Sequence, residues 1–216
     1  MANVVLIGAT GFVGSAVLNE LLSRGHKVTA VVRDTTKLAA HDNLTAIQGD
    51  VTDVESFAKI AEGKDAVISA YNPGWTNANI TKDTILNNAK IVKAVKLSGV
   101  NRLLFVGGAG TLFVAPGLRV LETDAFPAEI ANGVVSLAYF YLNMLTNEKE
   151  LDWVFFSPAG RFDTDGKRTG KFRLGKDDLI VDAEGDSHIS VQDYAVAMVD
   201  ELEKPAHHQE RFTIGY

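Results

Sequence analysis

The chain contains no cysteine. That single absence removes disulfides, thiolate metal sites and a cysteine nucleophile. No histidine–carboxylate spacing resembles a metal site either, so no metal is expected. No apolar run approaches the ~18 residues that a membrane-spanning helix needs. Proline is sparse, at five residues, and there is no low-complexity linker or internal repeat. Positive charge is also in deficit. The 21 Lys and Arg against 27 Asp and Glu give a net charge of −6, where a nucleic-acid binder presents a basic face. The same balance argues against a membrane-surface protein. The first residues lack the basic start and long apolar core of a signal peptide, so a cytoplasmic protein is expected.

What is present is a regular alternation. The 216 residues suffice for one large domain with a substantial core. Short β-branched runs at 3–7, 27–33, 44–48, 65–70, 102–106 and 153–157 read as strands. Amphipathic stretches at 12–23, 54–62, 83–97, 134–148 and 190–202 read as helices. The strands are apolar throughout, as in a parallel sheet buried on both faces. The expectation is an α/β fold, a Rossmann-type doubly wound parallel sheet forming a single domain over 1–216. Two stretches depart from the pattern. Residues 107–133 are too long and apolar for a simple connection and read as a packed lid. Residues 159–188, rich in charge and glycine, read as a small C-terminal substrate-side region. Ser190 and Asp193 have capping-box-like spacing ahead of the last helix.

The first strand runs directly into "GATGFVG", residues 8–14. A strand that turns straight into a helix presents backbone N–H groups and the positive end of the helix dipole, a ready anion site. Gly8 allows the tight turn, Gly11 lets a phosphate approach the backbone, and Gly14 lets the helix pack on the strand. Thr10, Phe12 and Val13 complete the candidate loop. The spacing is G-x-x-G-x-x-G, and its strand–turn–helix context makes it a dinucleotide site. The second strand bears on which dinucleotide. It ends "VVRDTTK", with Arg33 where an NAD site usually carries an acid. A guanidinium suits a 2′-phosphate, and Lys37 could assist, so NADP is favoured. Asp34 would be the ribose acid if the register slips by one, which keeps NAD open.

These segments, with "GDVTD" at 49–53 and "AVISA" at 66–70, resemble the atypical short-chain dehydrogenases/reductases. The nearest branch is the NADH-flavin reductase group of NAD(P)H-binding proteins, near biliverdin reductase B and the NmrA-like proteins. "VGGAGTL" at 106–112, "DWVFFSPAG" at 152–160 and "SHISVQDYA" at 187–195 extend the resemblance over nearly the whole chain. It implies that Asp50 and Val51 lie by the adenine and Ala70 by the adenosine side. Gly107 and Gly108 would lie under the nicotinamide ribose, with Pro158 and Ala159 bordering the nicotinamide.

The wider superfamily carries a Tyr-x-x-x-Lys pair on the helix before the sixth strand, and this chain has none. Counting back from "ELDWVFF" puts Tyr139 at the lysine position and Val135 at the tyrosine position. Tyr139 and Tyr141 then read as packing or pocket-wall residues. Thr111 and His188 are the remaining candidates for a proton donor. A threonine on a loop is commonly a local backbone cap, and a lone histidine before a helix is commonly structural. His207 and His208 read as solvated loop. Asp163, Asp165, Lys167 and Arg168 read as a charged, solvent-facing turn. Trp75 and Phe113 are placed to wall a flat aromatic ligand, and either would serve equally as core. Three functions compete. One is an NAD(P)H-dependent reductase passing hydride to a flat small-molecule acceptor, a flavin or quinone, with positioning doing most of the work. The second is a non-catalytic NADP(H) sensor of the NmrA-like kind. The third, disfavoured, is a sugar-nucleotide epimerase or dehydratase.

Overall fold

The computed structural model describes residues 1–123 and 127–216. In chain order the elements are β1 (Asn3–Ile7), α1 (Phe12–Ser23), β2 (Lys27–Val32), β3 (Leu44–Gln48), α2 (Val54–Ala61), β4 (Ala66–Ser69), α3 (Ile80–Ser98) and β5 (Arg102–Val106). A hairpin of β6 (Phe113–Ala115) and β7 (Leu118–Arg119) follows. Then come α4 (Ala128–Asn143), β8 (Asp152–Ser157), β9 (Arg161–Asp163), β10 (Arg173–Gly175), β11 (His188–Ser190), α5 (Val191–Glu203) and β12 (Glu210–Gly215). Eight strands make one sheet in the order β10-β12-β8-β5-β4-β1-β2-β3. All pairs are parallel except β10 with β12. The fold is the expected α/β Rossmann-type sheet with a small C-terminal region.

Strand alternation explains why both faces are buried. On β1, Val4 and Leu6 join a core shared with α1 and α5, whereas Val5 and Ile7 join a second core with α2, α3 and α4. A side-chain period of two sends successive residues to opposite faces, so an unbroken apolar strand needs helices on both sides. The direction of strand order reverses between β1 and β4. Ligands of open α/β sheets sit in the crevice at the strands' carboxyl ends at such a reversal.

The helix starts show how local chemistry sets boundaries. Asp53 accepts from Ser56 N at the start of α2, and Ser190 accepts from Asp193 N at the start of α5. Only half of the anticipated capping box at 190–193 is made. The Asp193 carboxylate instead accepts from the N–H groups of Thr169 and Gly170 and from Tyr216 Oη. Gly99, in the left-handed region at φ 78°, ends α3 as its position predicts.

Three expectations are corrected. The segment 107–133 is not a loop. It holds a 3-10 turn at Ala109–Thr111, the β6–β7 hairpin, a second 3-10 turn at Val120–Glu122 and the first six residues of α4; residues 124–126 of the anticipated lid lie outside the described residues. Helix α4 begins at Ala128 rather than Val134 and runs straight through Gly133. Of the two histidines expected in solvated loop, His208 is exposed in the loop before β12, but His207 is not solvated. β12 adds a further parallel strand beside β8. His207 stacks on Phe212 at 4.1 Å, and its Nδ1 pairs with the buried Glu201 at 2.8 Å. Among the described residues, no helix is long and apolar enough to cross a membrane.

Candidate functional site

The three glycines of the first loop are held by different constraints. Gly8 has φ 77°, and a Cβ there would stand 2.4 Å from the Ala70 carbonyl oxygen; one at Gly14 would stand 2.0 Å from the Gly8 oxygen. The protein's own backbone therefore excludes side chains at both. At Gly11 the nearest obstacle is the Gly8 oxygen at 3.3 Å, and the space beyond is open. A side chain at Gly11 would press only on that one oxygen and would otherwise fill open space, which its absence keeps free. The start of α1 fits that space. It has no side-chain cap and no acidic residue in its first turn, in contrast to the capped starts of α2 and α5. Bare N–H groups at a positive dipole end favour a phosphate. Thr10, Gly11 and Phe12 are exposed and Val13 is half-buried. Phe12 meets Phe162 edge to face at 5.7 Å, linking this loop to the C-terminal region.

Beyond β2, Arg33 is exposed, and among the described residues no carboxylate pairs with its guanidinium. Asp34 is engaged locally. Its Oδ1 accepts from Thr36 Oγ1 at 2.6 Å and from Thr36 N at 3.0 Å, which holds the carboxyl below its usual range. Lys37 is exposed at the end of this short turn. Asp50 likewise folds onto its own loop, accepting from Thr52 N at 2.8 Å, and Val51 is buried.

The ends of β4, β5 and β8 form the other side of the crevice. Gly107 N donates to the Phe156 carbonyl at 2.8 Å. A Cβ at Gly107 would strike the Phe155 ring at 2.7 Å. Ser157 Oγ donates to the Gly108 carbonyl at 2.9 Å. Tyr194 donates to the Phe156 carbonyl at 2.6 Å, and complete burial pushes its phenol well above the ordinary range. Pro158 and Ala159 are buried just past β8.

Helix α4 presents Gly133, Val134 and Leu137 toward this crevice. Leu137 would lie 3.4 Å from a Cβ on Gly108, Val134 2.6 Å from one on Gly110, and Trp75 2.6 Å from one on Gly133. Val135 and Tyr139 stand two residues further on than Gly133 and Leu137. That is about 200° around the helix, and both are 51% exposed. The α4 residue that abuts Gly108 is therefore Leu137, which does not titrate.

Both anticipated proton donors are engaged by charged neighbours. Thr111 is 2% exposed, and its Oγ1 accepts from Arg211 Nη1 at 2.7 Å while its carbonyl accepts from the same nitrogen at 2.8 Å. His188 Nδ1 lies 2.8 Å from Asp163 and Nε2 3.3 Å from Asp182. The Asp163 hydrogen bond raises the His188 pKa above its usual value. Asp182, Asp186 and His188 place ligating atoms within 4.8 Å of one another, a cluster the spacing did not reveal, and Arg161 pairs with Asp163 and Asp186. The charged turn is likewise tied down, since Arg168 pairs with the buried Glu20 at 2.8 Å. Leu112, next to the expected wall residue Phe113, is buried. Phe113 is half-buried, with the Arg119 guanidinium 5.1 Å above its ring, and its backbone is bonded to Asp177 and Leu179.

Arg211 is the site residue that sequence reading missed. Only 5% exposed, it reaches Thr111 from β12, pairs with Asp177, and lies 5.4 Å over the Tyr141 ring. It ties the turn after β5 to three other elements. A lone arginine in "ERFTIGY" carries no local sign of this.

Known proteins similar to this chain show its family. A family model described as NAD(P)H-binding matches residues 8–205. The chain belongs to the NAD(P)H-binding family, within the atypical short-chain dehydrogenases/reductases. A solved protein of Bacteroides thetaiotaomicron, described as a candidate epimerase, is 55% identical with a TM-score of 0.94, covering 100% of this chain and 98% of its own. One of Streptococcus pneumoniae, described as a candidate NADH-flavin reductase, is 34% identical with a TM-score of 0.84, covering 100% and 99%. The uncharacterised Bacillus subtilis protein YwnB is 40% identical over 213 residues, 97% of this chain and 96% of its own.

Proposed function

We propose that this protein is an NADPH-dependent reductase that passes hydride to a flat acceptor, a flavin or a quinone. The observation that carries it is the pairing of an intact cofactor cradle with an α4 face that offers no acid. Gly8, Thr10, Gly11, Phe12, Val13 and Gly14 would hold the pyrophosphate at the bare α1 start. Arg33, whose guanidinium pairs with no carboxylate among the described residues, would meet the 2′-phosphate, and the engagement of Asp34 by Thr36 favours NADP over NAD. Asp50 and Val51 would flank the adenine and Ala70 the adenosine. Gly107, Gly108, Pro158 and Ala159 would line the nicotinamide end. When bound, NADPH supplies hydride from its dihydronicotinamide ring, and the acceptor takes a proton from solvent. With Thr111 and His188 both tied down, neither is given the proton-donor role. A flavin needs no strong protein acid at the nitrogen that receives hydride, so the chain's task is to position the two rings.

The tied-down Thr111 and His188 equally favour a second reading, a non-catalytic NADP(H) sensor. The sugar-nucleotide epimerase reading, raised by the description of the Bacteroides relative, lacks a tyrosine–lysine pair to exchange the proton. Steady-state oxidation of NADPH with and without FMN, riboflavin and quinones separates these readings. Acceleration by a planar acceptor is expected. Tight NADPH binding with no acceleration by any of them would leave the sensor in its place.

A further inference from the structure

We propose that Trp75 is the stacking platform that selects a planar, electron-poor acceptor, and that Gly133 exists to let its indole lie against α4. This rests on the reductase reading above and adds the residues that would choose the substrate. Glycine is a poor helix former, and a buried one inside a helix calls for a packing reason. At Gly133 the reason is visible: a Cβ would stand 2.6 Å from Trp75 Cζ3, 3.2 Å from Trp75 Cε3 and 2.9 Å from Ile80 Cδ1. The indole edge is seated on bare helix backbone.

About half of the residue stays open to solvent, since Trp75 is 51% exposed. It is also held firmly. Gly74, at φ 106°, donates its N–H to Asn72 Oδ1 at 2.7 Å. Its carbonyl accepts from Asn77 N at 3.1 Å. Asn77 in turn donates from Nδ2 to Asp83 at 2.8 Å. The loop leaves β4 at Ala70, whose carbonyl abuts Gly8. On α4, Gly133 lies one turn, about 5.4 Å of rise, before Leu137, which abuts Gly108. The indole therefore stands at the mouth of the crevice between the ends of β4 and β5. A rigid ring with an electron-rich face favours an electron-poor planar partner and gives little to a flexible sugar.

The test uses protein saturated with NADP⁺, which has no hydride to give, titrated calorimetrically with FMN and with menadione. Trp75→Ala should raise both acceptor Kd values about twofold to tenfold, and Trp75→Phe should recover most of the loss. Gly133→Ala, a better helix former, should weaken the acceptors similarly and change the NADP⁺ Kd less than about twofold. Acceptors that bind wild type and Trp75→Ala equally, or that bind neither, overturn the proposal, as does a Gly133→Ala protein with wild-type acceptor affinity. The titrations are repeated without NADP⁺, so a failure of the cofactor assignment appears as a missing NADP⁺ isotherm while the Trp75 comparison stays readable. Acceptor binding that depends on Trp75, without any accelerated NADPH oxidation, supports the platform and sinks only the reductase reading.

Discussion

The two sides of the crevice are built by opposite means. On the side of the glycine turn, shape is set by backbone against backbone within the first 70 residues: Gly14 on Gly8, and Gly8 on Ala70. On the side of β5 and β8, shape is set by side chains reaching across long stretches of chain. Arg211 holds Thr111, and Tyr194 holds the Phe156 carbonyl. The first arrangement tolerates almost no variation at its glycines. The second can be retuned one side chain at a time, which suits a scaffold that keeps its cofactor and changes its acceptor.

The sharpest way to break this contrast is at Gly11. A side chain there meets only the Gly8 oxygen, at a tight 3.3 Å, so Gly11→Val should still fold, with some loss of stability, and lose dinucleotide affinity by a hundredfold or more. Calorimetry alongside a thermal melt checks both halves, and unchanged affinity would reduce the loop to a plain turn. Arg33→Ala comes next. A hydrogen bond to a charged group is worth about 1.5–3 kcal/mol, so NADPH should weaken by roughly 10–150-fold and NADH hardly at all. Equal losses for both would remove Arg33 from the 2′-phosphate.

Arg211→Met probes the other side. Losing its charged hydrogen bonds to Thr111 should cost about 1–3 kcal/mol of stability, read by urea unfolding. Hydrogen exchange should speed up at Leu112 and Phe113, whose N–H groups bond to Ala109 and Asp177. The NADPH Kd should stay within about twofold. Exchange confined to some other part of the chain would show that the turn stands without Arg211. The smallest effect belongs to Tyr139→Phe. That hydroxyl lies on the far side of α4 from Leu137, so any reductase activity should persist nearly unchanged. A hundredfold fall in kcat with intact cofactor binding would mean that α4 is turned differently in the working protein.

Legibility follows the same division. β1, α1, β3 and β5 are readable to the residue because their signals are local: unbroken β-branched runs, a glycine turn, an amphipathic period. The start of α4 is not readable, because Gly133 has the local signature of a helix breaker and its role depends on Trp75, 58 positions away. The register of α4 is misread for a related reason. Counting from a neighbouring strand fixes a position along the chain but not the side of the helix that faces Gly108. β12 escapes notice because a short final strand has little pattern of its own and is defined by pairing with β8. The carboxylates around His188 are scattered from 163 to 186 and meet only in the folded chain.

The place of β12 also sets an order of assembly. Every residue that shapes the phosphate cradle has been synthesised by position 70, whereas the turn at 109–111 waits for Arg211. At about 5–20 residues per second, that interval is roughly 7–28 s on the ribosome. A nascent chain therefore has its glycine turn in hand well before Arg211 can latch the turn after β5.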